Sequence, residues 1–247
     1  MNERDYHDRH YAGEAAAIAA SPLFARVHER SVRQFLRATR LGRSARVLSL
    51  GCGDGAIECR LAPHVAHIVG VDISSVAIGQ ARARADAAGL RNLSFAVAQT
   101  EDIARLGPFD AVAAFAFLHH LEPPAVRATL LAARKALRPQ GWLYSTDPSR
   151  RRLVGLFTGL VRETYERYHS PDERELDPQA LAAEAAAAGF SRPAIGYTDY
   201  FLGPLAWLAP GTPRWLAGPL EAADSAALCI PLLRRYASSF RLLGRAP

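Results

Sequence analysis

The sequence predicts an α/β protein built around a mostly parallel sheet, and three observations support this. Short apolar runs alternate with helical patterns along the 247 residues, as in parallel strands that are joined by helices. The apolar run at 45–50 leads into a turn with three glycines, and a helical pattern begins directly after it. A later apolar run, 67–71, ends at an acidic residue, Asp72. Because open α/β sheets bind ligands beyond the carboxyl ends of their strands, we expect a binding site at this edge.

The other elements follow from apolar periodicity and from residues that begin or end helices. Ser21-Pro22 is a strong helix start, since serine caps a helix and proline is accepted in its first turn. Gly89 and Gly189 are expected to end helices. The predicted strands are 45–50, 67–71, 93–98, 109–115, 142–146, 190–200 and 237–245. The predicted helices are 21–41, 56–62, 75–88, 123–137, 153–168 and 177–189.

The glycine turn has the sequence Gly51-Cys52-Gly53-Asp54-Gly55. Glycine adopts positive φ and lets a ligand approach the backbone, and Cys52 is interpreted as a small residue of the turn. With Ala56, the spacing also fits the dinucleotide fingerprint. A dinucleotide, however, places its pyrophosphate on the amides that begin the next helix, where the Asp54 carboxylate would repel it. The turn therefore favours a ligand that carries a positive group.

Asp72 ends the second predicted strand. A carboxylate at this position can accept hydrogen bonds from both ribose hydroxyls of an adenosine. It can alternatively cap the helix that begins near Ser75. Together with the glycine turn, ribose binding is the favoured interpretation, but it fits nicotinamide and adenosylmethionine cofactors equally well.

These motifs, with Gln99–Ile103, Phe109-Asp110 and Leu118-His119-His120-Leu121, resemble the class I S-adenosylmethionine (SAM)-dependent methyltransferases. Within the class, the chain is similar to the small-molecule branch that includes quinone-biosynthesis methylases. The resemblance covers 45–147 by motif and the rest only by the order of elements. It implies a Rossmann-like seven-stranded sheet of order 3-2-1-4-5-7-6, with the last strand antiparallel, helices on both faces and a helical cap.

The resemblance also implies a domain plan and a set of cofactor-binding residues. We expect a single methyltransferase domain over 1–247, with an N-terminal lid and helices at 1–44, a SAM-binding core at 45–147 and a substrate-side half at 148–247. The expected cofactor-binding residues are Gly51, Cys52, Gly53, Asp54, Gly55, Asp72, Ile73, Gln99, Thr100, Glu101 and Phe115. Gln99 departs from the family, which often has aspartate there for the adenine amine. A glutamine carbonyl can accept the same bond, and Glu101 or Asp102 can take the role instead.

His119 is the first candidate for a catalytic residue, because the transferred methyl group usually lies at the end of the fourth strand in this family. Histidine can accept a proton near neutral pH, which matters when the acceptor must lose one. His169, after the fifth strand, is the second candidate. His120 is better explained by a buried structural hydrogen bond. Histidines and carboxylates show no metal-binding spacing in the sequence, so we predict no metal.

The composition limits the classes of partner that we expect the chain to bind. The net charge of +6 comes almost entirely from arginine, and the chain has no block of like charges that would indicate nucleic acid. The three cysteines do not suggest a disulfide framework, and no apolar signal segment begins the chain, so we expect a cytoplasmic protein. The insertion at 201–235 contains two tryptophans and five prolines. Packed helices, a substrate cap, a homodimer surface or a membrane-surface contact would each explain it, and a membrane contact is not predicted.

The sequence thus predicts an enzyme that transfers methyl from SAM to an oxygen, nitrogen or carbon of a small acceptor, which can be apolar, and that releases S-adenosylhomocysteine (SAH). Two alternatives stay open. One is an NAD-dependent oxidoreductase. The other is a SAM-binding regulatory or partner protein without catalysis, which the departure at Gln99 leaves open.

Overall fold

The computed structural model describes residues 3–13, 21–153, 173–209 and 211–247. In these segments, seven strands form one sheet of order β3-β2-β1-β4-β5-β7-β6. The strands are β1 Arg46–Leu50, β2 His67–Asp72, β3 Leu93–Val97, β4 Phe109–Phe115, β5 Leu137–Pro148, β6 Ser191–Asp199 and β7 Ser239–Arg245. The first five pair in parallel, while β7 is antiparallel to both β5 and β6. The predicted fold class and strand order are confirmed.

The described α-helices are α1 Glu3–Ala12, α2 Pro22–Thr39, α3 Ala56–Leu61, α4 Ser75–Ala87, α5 Thr100–Ile103, α6 Pro123–Ala136, α7 Pro178–Ala187, α8 Leu202–Leu208 and α9 Ala217–Leu228. Their starts follow the sequence signals. Ser74 caps α4 by accepting a hydrogen bond from the Ala77 amide at 3.1 Å. Asp177 caps α7 from Pro178 in the same way. The helix predicted at 153–168 lies almost entirely outside the described residues.

The start of β5 differs from the prediction, which placed a turn at 138–141 and the strand from Trp142. The strand already begins at Leu137, although Gln140 has a φ of 62°. The end of the chain explains this, because the Gln140 amide donates to Ala246 O at 3.1 Å and the Ala246 amide donates to Gly141 O at 2.9 Å. The turn is therefore drawn into the sheet by a distant strand.

The sheet is buried on both faces, as expected for a parallel sheet covered by helices. Every residue of β4 except Asp110 is buried, and its side chains alternate between two cores. Val112 packs with the core that includes Leu130 of α6. Ala111 packs with the core that includes Phe35 of α2. The carboxyl ends of the central strands are thereby held in fixed positions, where the candidate site lies.

The insertion at 201–235 contains α8 and α9, which agrees with the interpretation as packed helices. Its attachment to α2 is partly ionic: the buried Arg30 pairs with Asp224 at 2.6 Å and with Asp199 at 3.4 Å. Further along, a group of large apolar side chains is exposed: Trp215, Ile230, Leu232, Leu233 and Tyr236. The dimer and membrane-surface alternatives therefore stay open. Among the described helices, none is both long and apolar enough to cross a membrane.

Candidate active site

The glycine turn joins β1 to α3 in a shape that requires glycine. Gly51, Gly53 and Gly55 have φ values of 61°, 52° and 73°, which side-chain-bearing residues rarely adopt. A Cβ on Gly51 would lie 2.2 Å from the ring of Phe117, and one on Gly53 would lie 2.3 Å from the Tyr11 hydroxyl. The turn is thus a bare-backbone cradle at the carboxyl edge of the sheet.

Cys52 belongs to the turn by its backbone and to the core by its side chain. Its amide donates to Val71 O at 3.0 Å, which ties the turn to β2. The thiol is buried among Ile78, Ala81 and Phe95, and this burial raises its pKa well above the ordinary value. The interpretation of Cys52 as a small residue that fills the turn agrees with this environment.

Asp72 links the tip of β2 to the glycine turn. One carboxylate oxygen accepts from the Gly53 amide at 2.9 Å, and the other accepts from the Ser74 amide at 2.9 Å. The cap of α4 is supplied by Ser74, so the alternative role of Asp72 as a helix cap is not needed. Burial raises the pKa of Asp72, although its backbone hydrogen bonds oppose this. Ile73, also predicted to bind the cofactor, lies between Asp72 and Ser74 and is partly buried.

The carboxylate of Asp54 is occupied by an arginine from α4. The Arg84 guanidinium forms a short hydrogen bond to the carboxylate, and its Nε donates to the Asp54 carbonyl oxygen at 3.0 Å. Asp54 also accepts from the Ala56 amide at 3.2 Å. The argument from an uncompensated negative charge in the turn was therefore wrong, because nothing in the spacing of the residues indicates that Arg84 pairs with Asp54.

Helix α1 lies over the turn and over the beginning of α4. Asp8 accepts from the Ser74 hydroxyl at 2.5 Å, and Gln80 donates to the Tyr11 carbonyl oxygen at 2.8 Å. The Tyr11 hydroxyl rests on Gly53. Burial and the nearby carboxylates of Asp72 and Asp54 raise the pKa of this phenol. Residues 3–12 thus cover the edge where the sequence predicts a cofactor.

The segment after β3 forms α5, and its predicted adenine-binding residues have local partners. Gln99 and Asp102 form a capping box, in which each side chain accepts from the backbone amide of the other. The Thr100 hydroxyl lies 3.2 Å from that of Thr129, while Glu101 is exposed. The Gln99 carbonyl, which was expected to receive the adenine amine, is already an acceptor within its own helix cap.

The side chain of Phe115, which is predicted to bind the cofactor, packs in the core. Its ring is buried in the core with Phe35 and Tyr144, at centroid distances of 5.9 and 5.7 Å. Because Ala116 has a φ of 51°, the chain turns sharply there, and the next aromatic, Phe117, contacts Gly51 instead. Alternation along a strand could not show this, since the turn at Ala116 breaks the alternation.

His119 is held by an aspartate at the end of β5. It follows β4 in a short 3-10 helix, Leu118–His120, and its side chain is only 8% exposed. Asp147 Oδ1 lies 3.2 Å from His119 Nδ1 and accepts from the His119 backbone amide at 3.2 Å. An ionised carboxylate can only accept, so Nδ1 carries the proton and Nε2 keeps a lone pair. The motif predicts His119, whereas the sequence marks Asp147 only as the end of a strand.

Other ionisable side chains surround His119. The His120 ring is 4.1 Å from the His119 ring, and the His7 ring of α1 is 5.4 Å from that of His120. Glu173 approaches both histidines of the motif, at 4.0 Å from His119 Nε2 and 3.7 Å from His120 Nδ1. Glu173 gave no signal in the sequence, because backbone bonds such as Arg174 N to His119 O at 3.0 Å bring it here from a distant segment. His169 lies outside the described residues and stays a prediction.

Known proteins resemble this chain over part of its length. Residues 47–141 match the model of the methyltransferase domain family. The chain is 32% identical over 120 residues to a ubiquinone biosynthesis O-methyltransferase of Aromatoleum aromaticum, covering 48% of this chain and 50% of that protein. The chain thus spans about half the length of the curated relatives it matches.

Solved structures of other proteins share the fold. Phosphoethanolamine N-methyltransferase 2 of Haemonchus contortus, solved in complex with SAM, superposes with a TM-score of 0.69 at 15% identity, covering 100% of this chain and 60% of that one. The cyclase SpnF superposes with a TM-score of 0.63 at 23% identity, covering 89% and 80%. At these identities the likeness concerns the fold alone.

The glycine turn and the sheet order define an α/β cofactor-binding domain. Residues 47–141 are, more particularly, a class I SAM-dependent methyltransferase domain, distantly related to the ubiquinone biosynthesis O-methyltransferases. This family consists of enzymes, and SAM is the cofactor of such a domain. The NAD-dependent alternative is therefore not supported.

Proposed function

We propose that this chain transfers the methyl group of SAM to an oxygen of a small acceptor, and that His119 takes the proton of the acceptor hydroxyl. The observation that carries the proposal is the His119–Asp147 pair at the carboxyl end of β4 and β5. A buried carboxylate that fixes one ring nitrogen as a donor leaves the other as a base of defined direction. The curated O-methyltransferase relatives favour oxygen over nitrogen or carbon.

The cofactor fits the residues at the neighbouring strand ends. Gly51 and Gly53 present bare backbone, and a Cβ on either would fill the cradle. Each oxygen of Asp72 accepts one backbone hydrogen bond and keeps a further lone pair for a ribose hydroxyl. When bound, SAM supplies the methyl group, whose bond to the acceptor oxygen forms as the sulfur–methyl bond breaks and SAH leaves.

Helix α1 acts as a lid in this proposal. Tyr11 and Asp8 already hold α1 on the glycine turn and on α4. The Tyr11 hydroxyl occupies the space directly above Gly53, so α1 has to shift when a cofactor contacts that glycine. The contacts of α1 with both the turn and His120 support a lid that faces the cofactor and the acceptor together.

The chain's main contribution to the reaction is alignment, because the methyl donor is already activated. Asp147 keeps the His119 ring in one orientation. Nε2 then faces the side of Glu173 and His120, where an acceptor hydroxyl can donate a hydrogen bond to it. Proton transfer to a positioned base of this kind contributes typically 10²–10⁴-fold.

The test is methyl transfer from SAM to a panel of small phenols, alcohols and amines by the wild type and by His119→Ala. We expect activity on hydroxyl acceptors, a loss of roughly 10²–10⁴ in kcat for the variant, and SAH affinity within about threefold of the wild type by calorimetry. An unchanged kcat in His119→Ala would remove the base from the proposal. SAH binding without transfer to any acceptor would favour the non-catalytic SAM-binding protein instead.

A further inference from the structure

Two imidazoles and one carboxylate converge beside the proposed acceptor position. One ligand atom each from His119, His120 and Glu173 lies within 4.8 Å of the other two. His119 is buried, and the other two are partly buried. Two histidines and one glutamate are a donor set that binds catalytic Zn²⁺ in enzymes, and two histidines with a carboxylate also bind other divalent transition metals.

The imidazole nitrogens and the carboxylate oxygens of the cluster face one another. Asp147 fixes the proton on His119 Nδ1, so the lone pair of Nε2 faces the Glu173 carboxylate, 4.0 Å away. Nδ1 of His120 lies 3.7 Å from the other oxygen of the same carboxylate. A divalent cation placed between these atoms would be attracted by the carboxylate and could be bound by the imidazole nitrogens.

We propose that His119, His120 and Glu173 bind a divalent transition-metal ion, with Zn²⁺ as the best match to the donor set. Bonds of 2.0–2.2 Å in a tetrahedral site bring ligand atoms to about 3.4 Å from one another. Here the ligand atoms lie within 4.8 Å of one another, so side-chain rotations would bring them to this spacing. Mg²⁺ fits less well, because it prefers oxygen ligands.

Asp147 holds the ring of His119 in an orientation that suits metal binding. Histidines that bind metals usually donate their other ring N–H to a carboxylate, which fixes the tautomer and the ring orientation. The contact between Asp147 Oδ1 and His119 Nδ1, at 3.2 Å, has this arrangement. The same contact that favours a base in the absence of metal therefore prepares Nε2 as a ligand in its presence.

The inference rests on the proposed function and gives the acceptor a recognition chemistry. Three protein ligands leave one tetrahedral position open, which an acceptor oxygen can occupy beside the methyl donor. A metal-bound hydroxyl also holds its proton less tightly. Because the ion then occupies the lone pair of His119 Nε2, that proton passes to solvent water, and the metal replaces His119 as the group that activates the hydroxyl. The acceptors that this site favours therefore carry a hydroxyl that can bind a metal, such as a phenol.

The experiment measures metal binding directly, on untagged full-length protein freed of metal with a chelator. Zn²⁺ is titrated by calorimetry, and Co²⁺ by its visible absorption, into the wild type, His120→Ala and Glu173→Gln. His64→Ala is the matched control, since His64 is exposed and lies away from the cluster in the 3-10 helix Ala62–His64. Circular dichroism checks that each variant folds, and Glu173→Gln preserves side-chain shape if His120→Ala does not fold.

We expect one ion per chain in the wild type and in His64→Ala, with affinity at least about tenfold weaker in the two cluster variants. No stoichiometric binding by the wild type, or equal affinity in all four proteins, overturns the proposal. SAH binding to the same samples separates the two inferences. Protein that binds SAH but no metal refutes only the metal site, whereas protein that does not bind SAH refutes the proposed function.

Discussion

The side chain of Arg84 on α4 binds both the backbone and the side chain of Asp54 in the glycine turn. Its Nε donates to the Asp54 carbonyl oxygen at 3.0 Å, while the guanidinium also pairs with the carboxylate. The Arg84 and Asp54 side chains are 39% and 21% exposed. The pair thus fixes the turn from outside the strand–turn–helix motif and cancels the charge that the turn would otherwise present to a ligand.

Arg84→Ala should loosen the turn and weaken cofactor binding. Exposed ion pairs contribute about 0.2–1 kcal/mol, so we expect a stability loss of roughly 1 kcal/mol together with a severalfold weaker affinity for SAH. Thermal unfolding and calorimetry measure the two effects. Arg91→Ala is the matched control, because Arg91 is 85% exposed and lies 3.7 Å from Asp86. Equal SAH affinity in both variants would show that Arg84 does not shape the turn.

Much of the fold could be predicted because its signals are local. The glycine turn, the proline at the start of α2 and the apolar runs of the strands are each legible within a few residues. The beginning of β5 was misplaced because its partner, Ala246, is near the other end of the chain. Hydrogen bonds between distant backbone segments leave no trace in the periodicity of either segment.

Only part of the site could be predicted, because only part of it depends on local signals. The strand-end position predicts Asp72 and the motif predicts His119, and both residues lie at the carboxyl edge of the sheet. The ring of Phe115 packs in the core, because the left-handed φ of Ala116 turns the chain, and its cofactor role stays a prediction. Glu173 was missed because tertiary contacts alone bring it to His119. Charges that meet through folding, such as Arg84 with Asp54, are likewise invisible in sequence spacing.

Asp72→Asn should weaken SAH binding while largely preserving the fold. An amide offers only one acceptor oxygen, so after serving the Gly53 and Ser74 amides it keeps fewer lone pairs for the ribose hydroxyls than the Asp72 carboxylate does. Leaving buried polar groups unpaired costs about 1–3 kcal/mol, which corresponds to a loss of roughly 5- to 150-fold in affinity. Calorimetry with SAH measures it, and the exposed Asp86→Asn serves as control. An affinity equal to that of the control would place the ribose elsewhere.

Glu58 should make the stability of the protein fall as pH rises. Its side chain is buried beneath the glycine turn, where Ser49 donates to it at 2.6 Å. Burial raises its pKa from the ordinary 4.5 to about 7, the Ser49 bond opposes this, and Asp54 and Asp72 add to it. The native state therefore holds the proton more tightly than the unfolded chain. Stability is lost between these two pKa values as pH increases, and it is constant above pH 7.

The size of this effect can be isolated with Glu58→Gln, which cannot ionise. Relative to the wild type, the variant should gain roughly 3 kcal/mol in free energy of unfolding between pH 4.5 and pH 8. Denaturant unfolding across this range measures the difference. Glu101→Gln is the control, since Glu101 is exposed on α5. Parallel pH profiles for the wild type and Glu58→Gln would contradict the buried, protonated carboxyl.

Asp147→Asn should slow methyl transfer without weakening the binding of SAM. The amide can donate as well as accept, so it no longer forces the proton of His119 onto Nδ1, and Nε2 loses its fixed lone pair. Losing the partner that orients a catalytic histidine typically costs 10- to 100-fold when the histidine binds metal, and about 10⁴-fold in a serine-protease triad. We therefore expect kcat to fall by at least about tenfold.

The readout for this variant is a split between kcat and the affinity for SAH. Asp147 is only a positioning residue in the proposal, so the SAH dissociation constant should stay within about threefold of the wild type. The double variant with His119→Ala should then be no slower than His119→Ala alone, because Asp147 acts through that ring. Additive losses in the double variant would instead mean that Asp147, whose Oδ2 has no hydrogen-bond partner among the described residues, contributes independently of His119.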